Sequence, residues 1–413
     1  MTNSSPRLLS LDVIRGIAVM GIFSVNIVGM AMIENAYFFP PDYGFAAMGD
    51  KLMWAANFIL VDGKFRSMFS ILFGASMLLV IERAESSGQE AWAVHFPRMI
   101  VLLLFGLLHF YVLWWGDILA NYALIGMIAF VFRRFDPIPL LFAGTLVLAG
   151  YYGPALSGHL QASAAPMTEA QAHAVQLSYF SSADEIARDK ADHASIAAHL
   201  VATLSDPNAR TRPFSSVLSY GFETLGLMLL GMAGYRSGFL TGSWSRARYA
   251  IIAAVLVSAS LALFGFATWR IVQSGFDPRV FVPWDQVDTA PMHPFSAIGY
   301  MALIMLIFPR RSAVAERFAA VGRTAFTNYL GSTIIGTGLF IGTFGGLYGA
   351  LSRGQVWLIV PLVWLGMLLW SKLWLDRFRY GPFEWLWRSL SRREWQPMRL
   401  SARPNPAPES PAA

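Results

Sequence analysis

The chain has 413 residues, 55% of them apolar and 14% charged, with a formal net charge of +6 and no cysteine. The apolar excess points to lipid rather than water as the solvent. Zero cysteines excludes disulfides, thiol catalysis and thiolate-bound metal, and the positive charge is scattered over loops rather than gathered into the patch that a nucleic-acid partner requires.

Crossing the roughly 30 Å hydrocarbon layer takes about 20 apolar residues. The sequence predicts an all-α, polytopic membrane protein with about ten transmembrane helices. They fall near residues 9–31, 53–82, 98–116, 118–132, 138–157, 216–236, 249–270, 294–309, 324–344 and 355–374. The second stretch is too long for one helix and is expected to contain a short re-entrant or interfacial piece before Phe65. The first apolar run lacks a small-residue cleavage signal and is interrupted by Asp12 and Arg15, so it reads as an uncleaved span. Five spans in residues 1–157, with the LDVIRG and GDIL segments, are separated from five in residues 214–400 by an outward polar loop, residues 158–213. In that loop Thr168 and Ser182 are candidate caps for short amphipathic helices, forming a solvated connector or a lid over a substrate. The Pro-rich tail, residues 401–413, is expected to be disordered.

Orientation follows the distribution of Lys and Arg. Arg7, Arg83, Arg98, Arg133, Arg134, Arg236, Arg246, Arg248, Arg310, Arg311, Arg317, Arg323 and the tail from Lys372 to Arg403 fall on one side if both termini are cytoplasmic. An even number of spans agrees with this. The chain is therefore read as a multi-pass membrane protein, with lipid as its surroundings and glycine-rich spans that permit a homodimer.

Charged and amide side chains at membrane depth are costly, so each is a candidate for function. Asp12 and Arg15 can pair on the first helix. Asn26 lies eleven residues beyond Arg15, three turns plus about 20° and roughly 16 Å along the same stripe. His109 sits inside a span, where it can accept and return a proton, and Asp117 eight residues on can orient it unless Gly116 ends the helix. Otherwise His109 is a packing histidine. Lys64 and Arg66, beside Asp62, hold an anionic or sugar-like ligand or anchor at headgroups. Glu223 is a site acid or half of a packing pair. Asn328 stabilises an oxyanion or ties helices together. Arg83, Arg98, Arg133 and Arg134 either meet phosphates or simply mark the cytoplasmic side.

RLLSLDVIRGIAVMGIFSVN resembles the opening of the YeiB-like family, a domain-of-unknown-function family placed in the superfamily of transmembrane acyltransferases. GKFRSMFSILFG (63–74), LLHFYVLWWGDILANYALIG (107–126), LGLMLLGMAGYRSGFL (225–240), GRTAFTNYL (322–330) and YGPFEWLWRSL (380–390) extend the likeness over nearly the whole chain. Relatives in that superfamily include bacterial sugar O-acyltransferases and the lysosomal heparan-alpha-glucosaminide N-acetyltransferase, which use cytosolic acyl donors and acceptors on the far side. The resemblance implies acyl-coenzyme A or acetyl-coenzyme A as donor, a small-molecule or glycan acceptor and no metal. The chain departs from the O-acyltransferase pattern at Asn26, where that branch has its histidine base, and an amide takes no proton at neutral pH. The N-acetyltransferase branch carries its active histidine in the next outward loop, but residues 33–49 contain none here. The expected catalytic set is therefore His109, Asp117 and Asn26, with Asp12, Arg15, Lys64, Arg66, Glu223 and Asn328 in binding roles. The alternative is a transporter or exporter of a small metabolite or lipid-linked sugar along the same polar pathway, although no matching halves of the inverted-repeat kind are evident. A third possibility is a scaffold that keeps the fold without the chemistry.

Overall fold

The computed structural model describes residues 9–164, 168–209, 211–308, 312–342 and 345–400. The tail beyond Leu400 and Arg7, Arg310, Arg311 and Arg403 of the charge argument lie outside these residues. In chain order the main helices are α1 (Leu9–Ala31), α2 (Met48–Leu60), α3 (Lys64–Ser86), α4 (Ala91–Leu108), α5 (Leu119–Ala129) and α6 (Pro137–Ala164). The polar loop follows with α7 (Glu169–Ser178), α8 (Ala183–Asp192) and α9 (Ile196–Ser205). Then come α10 (Arg212–Arg236), α11 (Arg246–Gln273), α12 (His293–Ile307), α13 (Ala313–Arg323), α14 (Ala325–Phe340), α15 (Val360–Leu375) and α16 (Pro382–Arg392). The described residues contain no β-strand, only one isolated antiparallel bridge between Phe378 and Arg399.

Among the described residues, eight helical units are long and apolar enough to cross a membrane: Leu9–Ala31, Met48–Ser86, Ala91–Leu113, Pro137–Ala162, Arg212–Arg236, Arg246–Gln273, Pro278–Ile307 and Arg353–Leu375. The chain is a polytopic membrane protein. The other two stretches read from the sequence, 118–132 and 324–344, are shorter than a full span. The first is the eleven-residue α5 continued by a five-residue 3-10 turn, Phe130–Arg134. The second is the sixteen-residue α14, separated from α13 by a break at Thr324. Both are core helices.

The 39-residue unit Met48–Ser86 is broken at Val61–Gly63, where Gly63 adopts a positive φ of 67°. The Lys64 ammonium closes the break: Nζ donates to the carbonyls of Phe58 (2.7 Å) and Asp62 (3.2 Å) and lies 3.2 Å from the centre of the Phe264 ring on α11. A cation on the exposed carbonyls of a helix C-terminus is the favourable arrangement. Lys64 is wholly buried, so it sits inside the protein and not at a headgroup layer.

α1 is the most buried of the spans and packs on α13, α14 and α3. At its crossing with α13, a Cβ on Gly322 would lie 1.8 Å from the Asp12 carbonyl oxygen. At the α3–α10 crossing, a Cβ on Gly231 would lie 1.8 Å from that of Ile71. Only glycine permits backbones this close. The two halves of the chain therefore interlock rather than sit side by side.

In the polar loop Thr168 and Ser182 cap α7 and α8 as reciprocal boxes with Gln171 and Glu185, and Ser195 caps α9. The loop is tied down onto the connection after α1. Asp42 accepts from the Ser181 amide and hydroxyl at 2.7 and 2.8 Å, Asp189 accepts from the Glu34 amide at 3.0 Å and the Tyr348 hydroxyl at 3.1 Å, and the His193 ring stacks on Tyr348 at 3.9 Å.

Candidate functional site

A cavity of about 300 Å³ opens among α1, α3, α4, α5, α13, α14 and α16. Its mouth carries four guanidinium groups, Arg15, Arg83, Arg98 and Arg323, and its interior is apolar, with Phe69, Phe73, Met99, Leu102, Leu119 and Phe326 among its walls. Arg15 donates to Asp12 at 2.9 Å and to the Ser76 hydroxyl at 2.7 Å. Arg98 lies with its guanidinium 4.4 Å from the centre of the Trp387 ring, whose Nε1 donates to the Arg98 carbonyl at 2.8 Å. Neither Arg83 nor Arg98 has a carboxylate within ion-pair distance among the described residues. Two carboxylates, Asp12 and Glu384, line the cavity. Glu384 is already engaged, accepting from the Phe326 and Thr327 amides at 2.7 and 3.0 Å and from the Thr327 hydroxyl at 2.5 Å. It thereby caps the N-terminus of α14. Burial pushes its carboxyl above the usual range, against the pull of those hydrogen bonds. The mouth therefore holds more cationic than anionic groups, and the cavity behind it is greasy, a combination suited to an amphiphile with a phosphate-bearing head.

Arg98 and His109 share a stripe of α4, eleven residues and roughly 16 Å apart. α4 ends in a π turn, His109–Leu113, a geometry frequent at functional sites. The chain then bends so that Asp117 returns to His109. The helix does not continue through Gly116, yet the two side chains meet, with His109 Nδ1 2.9 Å from Asp117 Oδ1. The second Asp117 oxygen accepts from the Ala120 amide at 2.8 Å and starts α5. On its other side, His109 Nε2 lies 3.0 Å from the Thr333 hydroxyl of α14. All three groups are buried. Tyr329, one turn before Thr333, is a wall of the cavity and packs on His109 with ring centres 5.2 Å apart. Its hydroxyl is buried against the Ile118 backbone.

Beyond His109 the aromatic packing continues through Trp114 (6.4 Å), Trp115 and Tyr37, with 5.4 Å at each of the last two steps. Tyr37 lines a second, smaller cavity with Asn57, Asp62, Asp285 and Arg353. His109 thus lies in the wall between an arginine-mouthed cavity and a second, mixed-charge one.

The other candidates from the sequence lie apart from this wall. Glu223 accepts two bonds from Arg66 (2.6 and 3.1 Å) and one from the Tyr152 hydroxyl (2.6 Å), tying α3, α6 and α10 together. The Asn328 amide donates to Val321 O, Thr324 Oγ1 and Ser371 Oγ at 3.0–3.1 Å and accepts from Trp370 Nε1 at 2.9 Å. Its hydrogen bonds are spent on the α13–α14 break and on α15, so none is left for an oxyanion. Asn26 is half-buried, its side chain makes no hydrogen bond to a described residue, and it lines neither cavity. Thr333, Tyr329 and Trp387 were not singled out from the sequence. A threonine and a tyrosine four apart on an apolar helix carry no signal until α14 is placed against α4.

Residues 234–394 match the family described as Protein of unknown function (DUF418). The uncharacterized protein YeiB of Escherichia coli K12 is 31% identical over 94% of this chain and 97% of its own length. The uncharacterized protein YxaH of Bacillus subtilis 168 is 30% identical over 96% and 97%. An uncharacterized 39.9 kDa protein from the amylase 3′ region of Bacillus acidopullulyticus is 24% identical over 93% and 94%. With such likeness along nearly its whole length, the chain belongs to the YeiB-like, DUF418 family of polytopic membrane proteins.

Proposed function

We propose that this protein is a transmembrane acyltransferase of a bacterial inner membrane. An acyl-coenzyme A or acetyl-coenzyme A donor enters at the arginine-lined mouth from the cytoplasm, and the acyl group passes to a small-molecule or glycan acceptor on the opposite face. The observation that carries this reading is the cavity itself. Arg83 and Arg98 are free to take phosphates, Arg15 and Arg323 flank them, and the apolar interior suits an acyl-pantetheine arm. Its volume lies at the lower end of small-molecule sites. His109, oriented by Asp117, supplies proton transfer between donor side and acceptor side.

The test is donor binding by purified protein. Acetyl-coenzyme A and a long-chain acyl-coenzyme A are expected to raise the melting temperature, because a ligand at a hundred times its Kd stabilises by roughly 2.7 kcal/mol. Arg98→Ala should weaken binding about tenfold, the worth of one charge-assisted contact. Absence of any shift with either donor overturns the reading. The broken helix at Val61–Gly63 and two cavities kept apart by an aromatic wall favour a second reading, export of a small metabolite or lipid-linked sugar. Donor-independent flux in proteoliposomes would support it.

A further inference from the structure

We propose that Thr333 is a nucleophile that carries the acyl group covalently, with His109 as its base and Asp117 as the residue that positions the imidazole. The inference rests on the acyl-donor reading above and adds to it a route through the wall between the two cavities.

Three separate elements bring the groups together: the end of α4, the turn before α5 and the middle of α14. Asp117 Oδ1 stands 2.9 Å from His109 Nδ1, and His109 Nε2 stands 3.0 Å from Thr333 Oγ1. A carboxylate at Nδ1 accepts the hydrogen bond from its N–H and fixes the tautomer, which leaves the lone pair on Nε2 to receive the threonine proton. Asp117 is itself held by the Ala120 amide. A threonine inside a helix ordinarily bonds back to the carbonyl four residues earlier. Here that contact, to Tyr329 O, is 3.3 Å and the imidazole contact is the shorter. Carboxylate, imidazole and hydroxyl in this order constitute the arrangement that activates hydroxyl nucleophiles on unrelated folds. Tyr329 stands between Thr333 and the arginine-mouthed cavity. Its hydroxyl meets the Ile118 backbone and no side chain among the described residues, so turning the ring aside joins the cavity to Thr333 and breaks that one contact.

In the first half-reaction Thr333 Oγ attacks the thioester carbonyl carbon while its proton passes to His109 Nε2. The new C–O bond forms, the C–S bond breaks, and the departing thiolate takes the proton and leaves as coenzyme A thiol. In the second, an acceptor hydroxyl or amine loses its proton to His109 as it attacks the threonyl ester. The C–O bond to Thr333 breaks, and the proton returns to Thr333 Oγ. No oxidant, reductant or net proton is required. Donor and acceptor never have to occupy one cavity, which is the difficulty that the wall poses.

The experiment incubates full-length protein with acetyl-coenzyme A and no acceptor, quenches in acid, and reads intact and peptide masses together with released thiol. One acetyl group per chain on the peptide that contains Thr333, with matching thiol release, is expected. Thr333→Val should bind acetyl-coenzyme A as the wild type does in a thermal-shift titration and carry no adduct. Thr333→Ser should keep the adduct, and Asp117→Asn should slow its formation at least about a hundredfold. Wild-type protein that binds acetyl-coenzyme A yet carries no acetyl group on Thr333 overturns the inference and leaves the donor reading standing, as does Thr333→Val acetylating like wild type. Wild-type protein that binds no acetyl-coenzyme A overturns both.

Discussion

Glu223→Gln separates two roles for the only carboxylate within α10. The substitution keeps the shape and removes the charge that accepts two bonds from Arg66 and one from Tyr152. Glu223 has a side-chain exposure of 2%, whereas Arg66 retains 35%. Removing one partner of a fully buried pair costs about 3–5 kcal/mol because the other charge is stranded. Arg66 is one-third exposed, so water takes part of that load, and the expected loss is about 2–3 kcal/mol. Domains of 150–250 residues lose roughly 2–4 °C per kcal/mol, and longer chains lose less, so Tm should fall by about 3–5 °C. The assay is intrinsic-fluorescence melting of detergent-solubilised protein, with Arg66→Gln and the double variant completing a cycle. The double variant should lose less than the sum of the singles by at least about 1 kcal/mol. A Tm within about 1 °C of wild type, combined with loss of acyl transfer, would refute the packing assignment and make Glu223 a site acid.

Gly322→Ala places a methyl group 1.8 Å from the Asp12 carbonyl oxygen, a backbone atom that cannot swing away. It should cost at least about 1–3 kcal/mol and weaken donor binding together with stability, because Asp12 pairs with Arg15 at the cavity mouth; unchanged melting would contradict so close a crossing. For His193 in the polar loop, burial pulls the imidazole pKa down, but the hydrogen bonds and charge of Asp189, with Asp192 beyond, outweigh it and leave it above its ordinary value. A raised folded-state pKa stabilises docking fully below about pH 6.5, the unfolded value, and the benefit is lost as pH rises through the folded value. Neighbouring His199 is pushed down to about 4 by burial and stays neutral over that window. Limited proteolysis of residues 158–213 should therefore be faster near pH 9 than near pH 6, with His193→Ala equally fast at both. A wild-type loop cut at the same rate throughout would remove His193 as the latch.

Helix existence was legible because an apolar run of 20 residues has few other stable states in lipid. Lengths were less so. Hydropathy cannot register that Asp117 starts α5 late or that Thr324 splits α13 from α14, since both breaks are made by single polar contacts inside apolar sequence. Polarity at membrane depth marked Lys64, Arg66, Glu223 and Asn328 as candidates for function, but composition does not say which groups they meet. The structure gives Lys64 two carbonyls and a ring, Glu223 an arginine and a tyrosine, and Asn328 a cluster of hydroxyls. From the sequence, His109 and Asp117 are expected to meet only if the helix runs on through Gly116; it ends before that, and a bend in the chain brings them together instead. Thr333 could not be placed beside them, because it comes from more than 200 residues further along.

The cation that closes the break between α2 and α3 has a consequence for how the chain is made. Lys64 emerges from the ribosome about 200 residues before Phe264, the ring on which its ammonium rests. Thirteen helical residues rise only about 20 Å, so α2 cannot cross the bilayer by itself. Until α11 arrives, the nascent segment Met48–Ser86 holds a charge that lipid will not accept. The amino-terminal half is therefore an incomplete insertion product awaiting its carboxy-terminal half, and a polypeptide cut in the polar loop should reach its native state only when both pieces are synthesised in the same membrane.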